Sequence, residues 1–341
     1  MDKKGFHIQS LHLSASAAAC LLTLIYIPCY TQDLSSTNMS PVTNQDTSVW
    51  IPAFKHVRII SPYDSTVQHA YFYKSVSPET RPLVVQLHSW TYDYRQFDSV
   101  AVYCLLNDLN FIHPDFRGPN KTKYACCSDL VISDIDAAID YAINNGNVDT
   151  SRIFVIGQSG GGYATLAIFM KSKHKIRKFS AWCSISDLVR WYEETKIRKL
   201  YYARDILNCT NSIGDNLNVE EAVQRSPFYW DTPVRKLDYC RLDIFAGVYD
   251  GLENNGPVPI TQSINFYNKL LADLIVVDSS RYVSNSEKLN LLEFRKPLAD
   301  FGQIGNRDIC LIKETGNLRL TIFTGMHEML IKYAIDELLK Q

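Results

Sequence analysis

Three residues of this 341-residue chain are suited by type and spacing to covalent chemistry: Ser159, Asp250 and His327. Ser159 stands between Gly157 and Gly161 in the spacing G-x-S-x-G. A serine hydroxyl is a weak nucleophile until a base takes its proton, and the base needs a partner that fixes its orientation. His327 is the candidate base, because downstream of Ser159 the only other histidine is His174, in a lysine-rich helix end. Asp250, in Gly247-Val-Tyr-Asp-Gly251, is the candidate partner, with Asp243 and Glu253 as competitors. The order Ser, Asp, His is the one expected when each residue follows a strand of an open α/β sheet. A developing oxyanion needs two donors, expected here from the amide of Gly160, directly after the serine, and the amide of Trp90.

The elements around Ser159 suit this role. Four apolar residues, Ile153 to Ile156, run into the small turn, and an apolar, helix-compatible stretch, Ala164 to Met170, follows. Strand, tight turn and helix in that order hold a serine above the sheet edge, with helix N-terminal amides aimed at what forms on its hydroxyl. A Gly-rich turn after a strand can instead cradle a phosphate. A dinucleotide fingerprint would read G-x-G-x-x-G and a P-loop would end in Gly-Lys-Ser/Thr; neither pattern is in this turn.

Other buried-strand patterns recur along the chain. His56–Ile60 and Gln68–Tyr73 read as an opening hairpin, and Pro82–His88 as a strand ending in Ser89-Trp90. A helix is expected over about 96–109, a strand over Phe111–Asp115, and a helix capped by Ser128 and Asp129. Strands follow at Phe179–Ile185, Leu242–Val248 and Leu318–Thr324, then a terminal helix over Met329–Leu339. Buried strands alternating with helices imply a mostly parallel sheet covered on both faces. Residues 187–236, rich in Trp, Tyr, Arg and Asp, and residues 273–316 do not fit this alternation. They are expected as helical and loop insertions over the site.

A chain with 46% hydrophobic residues can bury one large core, and a formal net charge of −1 gives no field for nucleic acid. Lys3 and Lys4 precede an apolar stretch, Leu11–Tyr30, so residues 1–31 read as a signal peptide and 32–50 as a flexible linker. The protein is therefore expected to be secreted or periplasmic. A membrane anchor competes with this reading, and Cys20 or Cys29 would carry a lipid if the protein were a lipoprotein. Seven cysteines remain beyond the signal, irregularly spaced and without a C-x-x-C pair, which argues against zinc. One or two disulfides are compatible with an oxidising compartment, but their pairing is not readable. No cofactor is expected.

The residues around Ser159 and Asp250 resemble the α/β-hydrolase superfamily. More narrowly, they are similar to the catalytic domain of the prolyl oligopeptidase family and related acyl esterases. The narrower likeness rests on Pro114-Asp-Phe-Arg-Gly118, on Val148 through Gly162, and on Ala246-Gly-Val-Tyr-Asp-Gly251 followed by Val258-Pro259. It covers about residue 55 to the end and implies an α/β-hydrolase fold with an eight-stranded sheet and a catalytic domain over 51–341. It also implies a serine hydrolase with the triad Ser159, Asp250 and His327. The family's peptidases carry a β-propeller ahead of this domain that limits them to short peptides. About fifty residues precede it here, too few for blades of about 40–50 residues each. His88-Ser89-Trp90 also departs from the His-Gly pair common in the superfamily.

These departures favour an ester over a peptide, with an acyl ester on a carbohydrate as the first reading. A peptidase acting on short peptides is the alternative, and a binding module with a dead site the third. Trp182, Trp191, Tyr192, Tyr229 and Trp230 are the candidate residues for stacking on a sugar ring or an aromatic acyl group. His88 is expected to brace the loop rather than serve as a second base.

Overall fold

The computed structural model describes residues 50–340; the expected signal peptide and all of the expected linker but its last residue, Trp50, lie outside them. The described residues form an α/β sandwich around one ten-stranded sheet. A hairpin opens it, β1 (Lys55–Ile60) against β2 (Val67–Tyr73), followed by β3 (Arg81–Leu87), helix α1 (Ser99–Leu106) and β4 (Asn110–Pro114). Helix α2 (Asp129–Asn145) leads to β5 (Val148–Gln158), helix α3 (Gly160–Lys171) and β6 (Lys178–Trp182). Three helices then interrupt the alternation: α4 (Leu188–Ile197), α5 (Tyr202–Cys209) and α6 (Val219–Gln224). The chain returns through β7 (Arg241–Gly247), α7 (Ile260–Asp273), α8 (Asn285–Phe294), β8 (Gln303–Ile304), β9 (Arg307–Thr315), β10 (Leu318–Phe323) and α9 (Ile331–Leu339).

The strand order is β1-β2-β4-β3-β5-β6-β7-β10-β9-β8. From β4 to β10 the strands run parallel, whereas β1, β2, β9 and β8 join antiparallel at the two edges. The sheet is thus mixed, and it holds two strands more than the eight expected. Both extra strands, β8 and β9, come from the segment read as insertion. Gly316-Asn317 forms a two-residue turn, with Gly316 at φ 57°, that folds β9 back onto β10.

Successive strand residues point to opposite faces, and the two cores show it. In β5, Ile153 and Val155 enter the core shared with α2, α3 and α7, while Phe154 and Ile156 enter the other, shared with α1 and α9. In β7, Leu242, Ile244 and Ala246 face the first core and Phe245 the second. Being covered on both sides, the central strands read as continuous apolar runs. Ser128 caps α2 by accepting from Val131 N, as its position before the helix predicted. Trp50 stacks on Tyr71 with ring centroids 4.2 Å apart and packs edge-on against Phe54 and Phe97.

Candidate active site

Parallel strands deliver their following loops to one rim of the sheet, and the candidate residues stand there. Ser159 follows β5, Asp250 lies beyond β7, His327 beyond β10, and His88–Trp90 follow β3. Ser159 has φ 60° and ψ −120°, a conformation few L-residues adopt. Its backbone is held by Ser159 N donating to Trp182 O at 2.9 Å and by Tyr163 N donating to Ser159 O at 2.8 Å. The turn closes only because its flanks are bare: a Cβ on Gly157 would lie 2.3 Å from Gly161 C and O. The geometry is the strand, tight turn and helix that the sequence pattern predicted.

Asp250 and His327 meet. His327 Nδ1 donates to Asp250 Oδ2 at 2.7 Å, and Asp250 Oδ1 accepts Val258 N at 3.1 Å. Asp250 is 1% exposed, so both bonds are shielded from water. The competitor Asp243 lies inside β7, where Arg241 Nε donates to it at 2.9 Å. Glu253 presents only its backbone carbonyl, to Arg198 Nη2 at 2.7 Å. His327 reaches the elbow through its backbone: Gln158 Nε2 donates to His327 O at 2.8 Å. Among the described residues no hydrogen bond joins the Ser159 hydroxyl to the imidazole, whose Nε2 is left free by the bond on Nδ1.

The two expected oxyanion donors converge. A Cβ on Gly160 would lie 2.4 Å from Trp90 N, so the two backbones touch beside Ser159. Among the described residues neither Trp90 N–H nor Gly160 N–H donates to a protein acceptor. Two unspent amides whose backbones meet next to a strained serine are the kind of donors an oxyanion needs. His88 is fully buried, stacks on Phe116 at 3.8 Å and donates from Nε2 to Asp115 O at 2.7 Å. It braces the loop.

The aromatic candidates divide. Trp182 is buried in the core, stacked on Phe245 at 4.0 Å, and Tyr192 is buried with its hydroxyl on Asp215 O. Trp191 is also buried; its indole donates to Pro257 O at 2.9 Å and meets Trp90 edge-on at 4.7 Å. Trp182, Trp191 and Tyr192 thus present no face for a sugar ring to stack on. Tyr229 is exposed, with its hydroxyl on Asp187 Oδ2, and Trp230 carries Lys171 over its ring at 4.0 Å.

Three features escaped the sequence reading. Cys126 and Cys209 form a disulfide, joining the segment before α2 to the end of α5. Cys183, at φ 47° after β6, has its sulfur within 4.8 Å of the Asp250 and His327 ligand atoms. Burial and the nearby Asp250 push its thiol well above the ordinary range. Asp205, in the insertion, accepts the Trp90 indole N–H at 3.0 Å.

The fold is the α/β-hydrolase fold, and the elbow with its Asp–His pair sits where serine hydrolases of that fold keep theirs. Residues 121–271 match the prolyl oligopeptidase family, so the resemblance read from the motifs holds in sequence as well as in fold. Solved structures with this fold include a puromycin-hydrolyzing peptidase of Mycobacterium tuberculosis, 21% identical with a TM-score of 0.50 over 64% of this chain and 34% of that one. The acylaminoacyl peptidase of Pyrococcus horikoshii is 16% identical, with a TM-score of 0.50 over 64% and 35%. Prolyl oligopeptidase B from Galerina marginata is 16% identical, with a TM-score of 0.50 over 64% and 31%. The aligned part is thus about a third of each of those chains. No curated protein matches the sequence.

Proposed function

We propose that this protein is a serine hydrolase that works through an acyl-enzyme and cleaves peptide or amide bonds in small substrates. The observation that carries the proposal is Ser159 in its strained turn beside the paired amides of Trp90 and Gly160, with the Asp250–His327 pair on the adjoining loops. Ser159 Oγ attacks the carbonyl, His327 Nε2 takes its proton, and the Trp90 and Gly160 amides receive the oxyanion. Asp250 keeps Nδ1 protonated and steadies the imidazolium. His327 then gives the proton to the leaving amine, and water repeats the sequence to free the serine.

The ester, first in order on the sequence alone, moves to second place. The family match and the names of the structural relatives are those of peptidases, which supports the amide reading. The ester reading keeps the exposed Tyr229 of the insertion in its favour. Rates on p-nitrophenyl esters compared with peptide anilides and puromycin-like amides test the order; faster ester turnover with no anilide cleavage would reverse it. Labelling of Ser159 by a fluorophosphonate tests the nucleophile, and absence of labelling in folded protein would favour a binding module. Secretion belongs to the same proposal. It rests on Lys3, Lys4 and the apolar run that follows, and the Cys126–Cys209 bridge suits an oxidising compartment. Recovery of the protein from the cytoplasm with its first thirty residues intact would overturn that part.

A further inference from the structure

We propose that Asp205 of α5 is a positioning residue for the oxyanion donor Trp90, and that the Cys126–Cys209 disulfide holds it in place; this rests on the serine-hydrolase reading above. Trp90 does two jobs at once. Its main-chain amide lies beside Gly160, while its indole reaches away into the insertion and donates to Asp205 Oδ2 at 3.0 Å. A side chain fixed at its far end fixes the plane and depth of the backbone it hangs from, and here that backbone carries the donor. Trp90 is 2% exposed and is flanked edge-on by Trp191 at 4.7 Å and Tyr202 at 6.3 Å. Both flanking rings come from the insertion. Tyr163 of the elbow helix α3 meets the indole as well, at 6.0 Å, so the slot is built by residues 188–209 together with α3.

The bond to Asp205 closes a ring of contacts. Trp90 O accepts Asn120 N at 2.8 Å, and Asn120 Oδ1 accepts Cys126 N at 2.8 Å. Cys126 is bridged to Cys209, the last residue of the short helix that carries Asp205. Cys126 O also accepts the hydroxyl of Tyr163, one turn into the helix that Ser159 starts. Elbow helix, oxyanion loop and insertion are thus laced through one half-cystine. Burial raises the Asp205 carboxyl above its usual range, and the indole bond opposes that rise. A carboxylate is kept half-buried where nothing but an indole N–H answers it among the hydrogen bonds of the described residues.

The test compares Asp205→Ala with Asp205→Asn, which retains an oxygen to accept the indole proton. Loss of a positioned oxyanion donor costs about 100- to 1000-fold in kcat. A donor that is loosened rather than removed is expected to cost Asp205→Ala about 10- to 100-fold in kcat, with KM changed less than about threefold. Asp205→Asn is expected to recover most of that loss. A second readout does not depend on turnover: the Trp90 indole resonance in protein labelled with 15N-tryptophan, assigned with Trp90→Phe. It should be protected from exchange in the parent protein and in Asp205→Asn, and unprotected in Asp205→Ala. Unchanged kcat or unchanged indole protection in Asp205→Ala overturns the inference. If the parent protein fails to hydrolyse any substrate or take the fluorophosphonate label, the serine-hydrolase reading fails instead, while the indole readout still decides whether Asp205 holds Trp90.

Discussion

Gln158 Nε2 donates to His327 O at 2.8 Å, so the residue before the candidate nucleophile grips the main chain of the candidate base across 169 positions of sequence. The first variable position of G-x-S-x-G is thereby a fastening between the elbow and the histidine loop. Gln158→Leu should keep the side chain's bulk and lose the bond. The expected outcome is a drop of about tenfold in kcat with a normal unfolding curve, from an imidazole that is less well aimed. Steady-state kinetics on a good substrate check it; unchanged kcat would show that the loop holds itself.

Asp250→Asn should leave the packing intact and turn the imidazole to the wrong tautomer, because the amide oxygen is taken by Val258 N and the NH2 group then faces Nδ1, which must accept instead of donate. A fall of about 10⁴ in kcat is expected, as for the same change in other Ser-His-Asp enzymes. The control is an unaltered melting temperature.

Gly256, at φ +141°, backs this pair so closely that a Cβ would lie 2.2 Å from Asp250 Oδ1 and 2.6 Å from His327 Cβ. Gly256→Ala is expected to abolish most activity, about 100-fold or more, and to cost about 1–3 kcal/mol of stability through backbone strain. Chemical denaturation beside an activity assay separates the two effects. Full activity would mean that the loop has room that the structure does not show.

The Cys126–Cys209 bridge spans 83 positions. Replacing both cysteines with alanine should lower stability by about 2–5 kcal/mol, the usual range for a native disulfide. Calorimetry of the double variant gives the number directly, and a shift near zero would place the bridge outside the cooperative unit.

Asp98 caps α1 through Val100 N, and its carboxylate also accepts from the buried Gln86. Burial lifts it from 3.8 to about 6. The folded state then holds this proton more tightly than the unfolded chain does. Stability from the group is fullest below the unfolded value and declines as pH rises through about 6, by up to about 3 kcal/mol. Asp98→Asn keeps the cap and removes the buried charge. It should raise the melting temperature at pH 7.5 and leave it nearly unchanged at pH 4. An equal shift at both would rule out titration as the cause.

Much of this was legible because the central strands are covered on both faces. Ile153–Ile156 and Leu242–Ala246 read as apolar runs, and the loops after such strands announced Ser159, Asp250 and His327. What stayed hidden has physical reasons. β9 is half-exposed and carries Arg307, Asp308, Lys313 and Glu314, so its alternation was lost among charges, although Gly316-Asn317 marked the hairpin. Helix α7 begins at Ile260, directly after the acid loop, without a polar cap, and its start gave no signal. The depth of Trp182 and Trp191 could not be read, because an aromatic side chain looks the same in a core as at a rim. The Cys126–Cys209 pairing depends on where α5 folds back, which only tertiary packing decides.

The stacking of Trp50 on Tyr71, with Phe54 and Phe97 against its edges, has a practical bearing on where the protein can be cut. A shortened version starting past residue 54 would strip the plug from the outer strands and leave the rings of Tyr71, Tyr73 and Phe111 bare beside an open sheet edge. Such a fragment would carry every candidate catalytic group and still be prone to clump. Trimming from the amino end therefore has a natural stop just ahead of that indole.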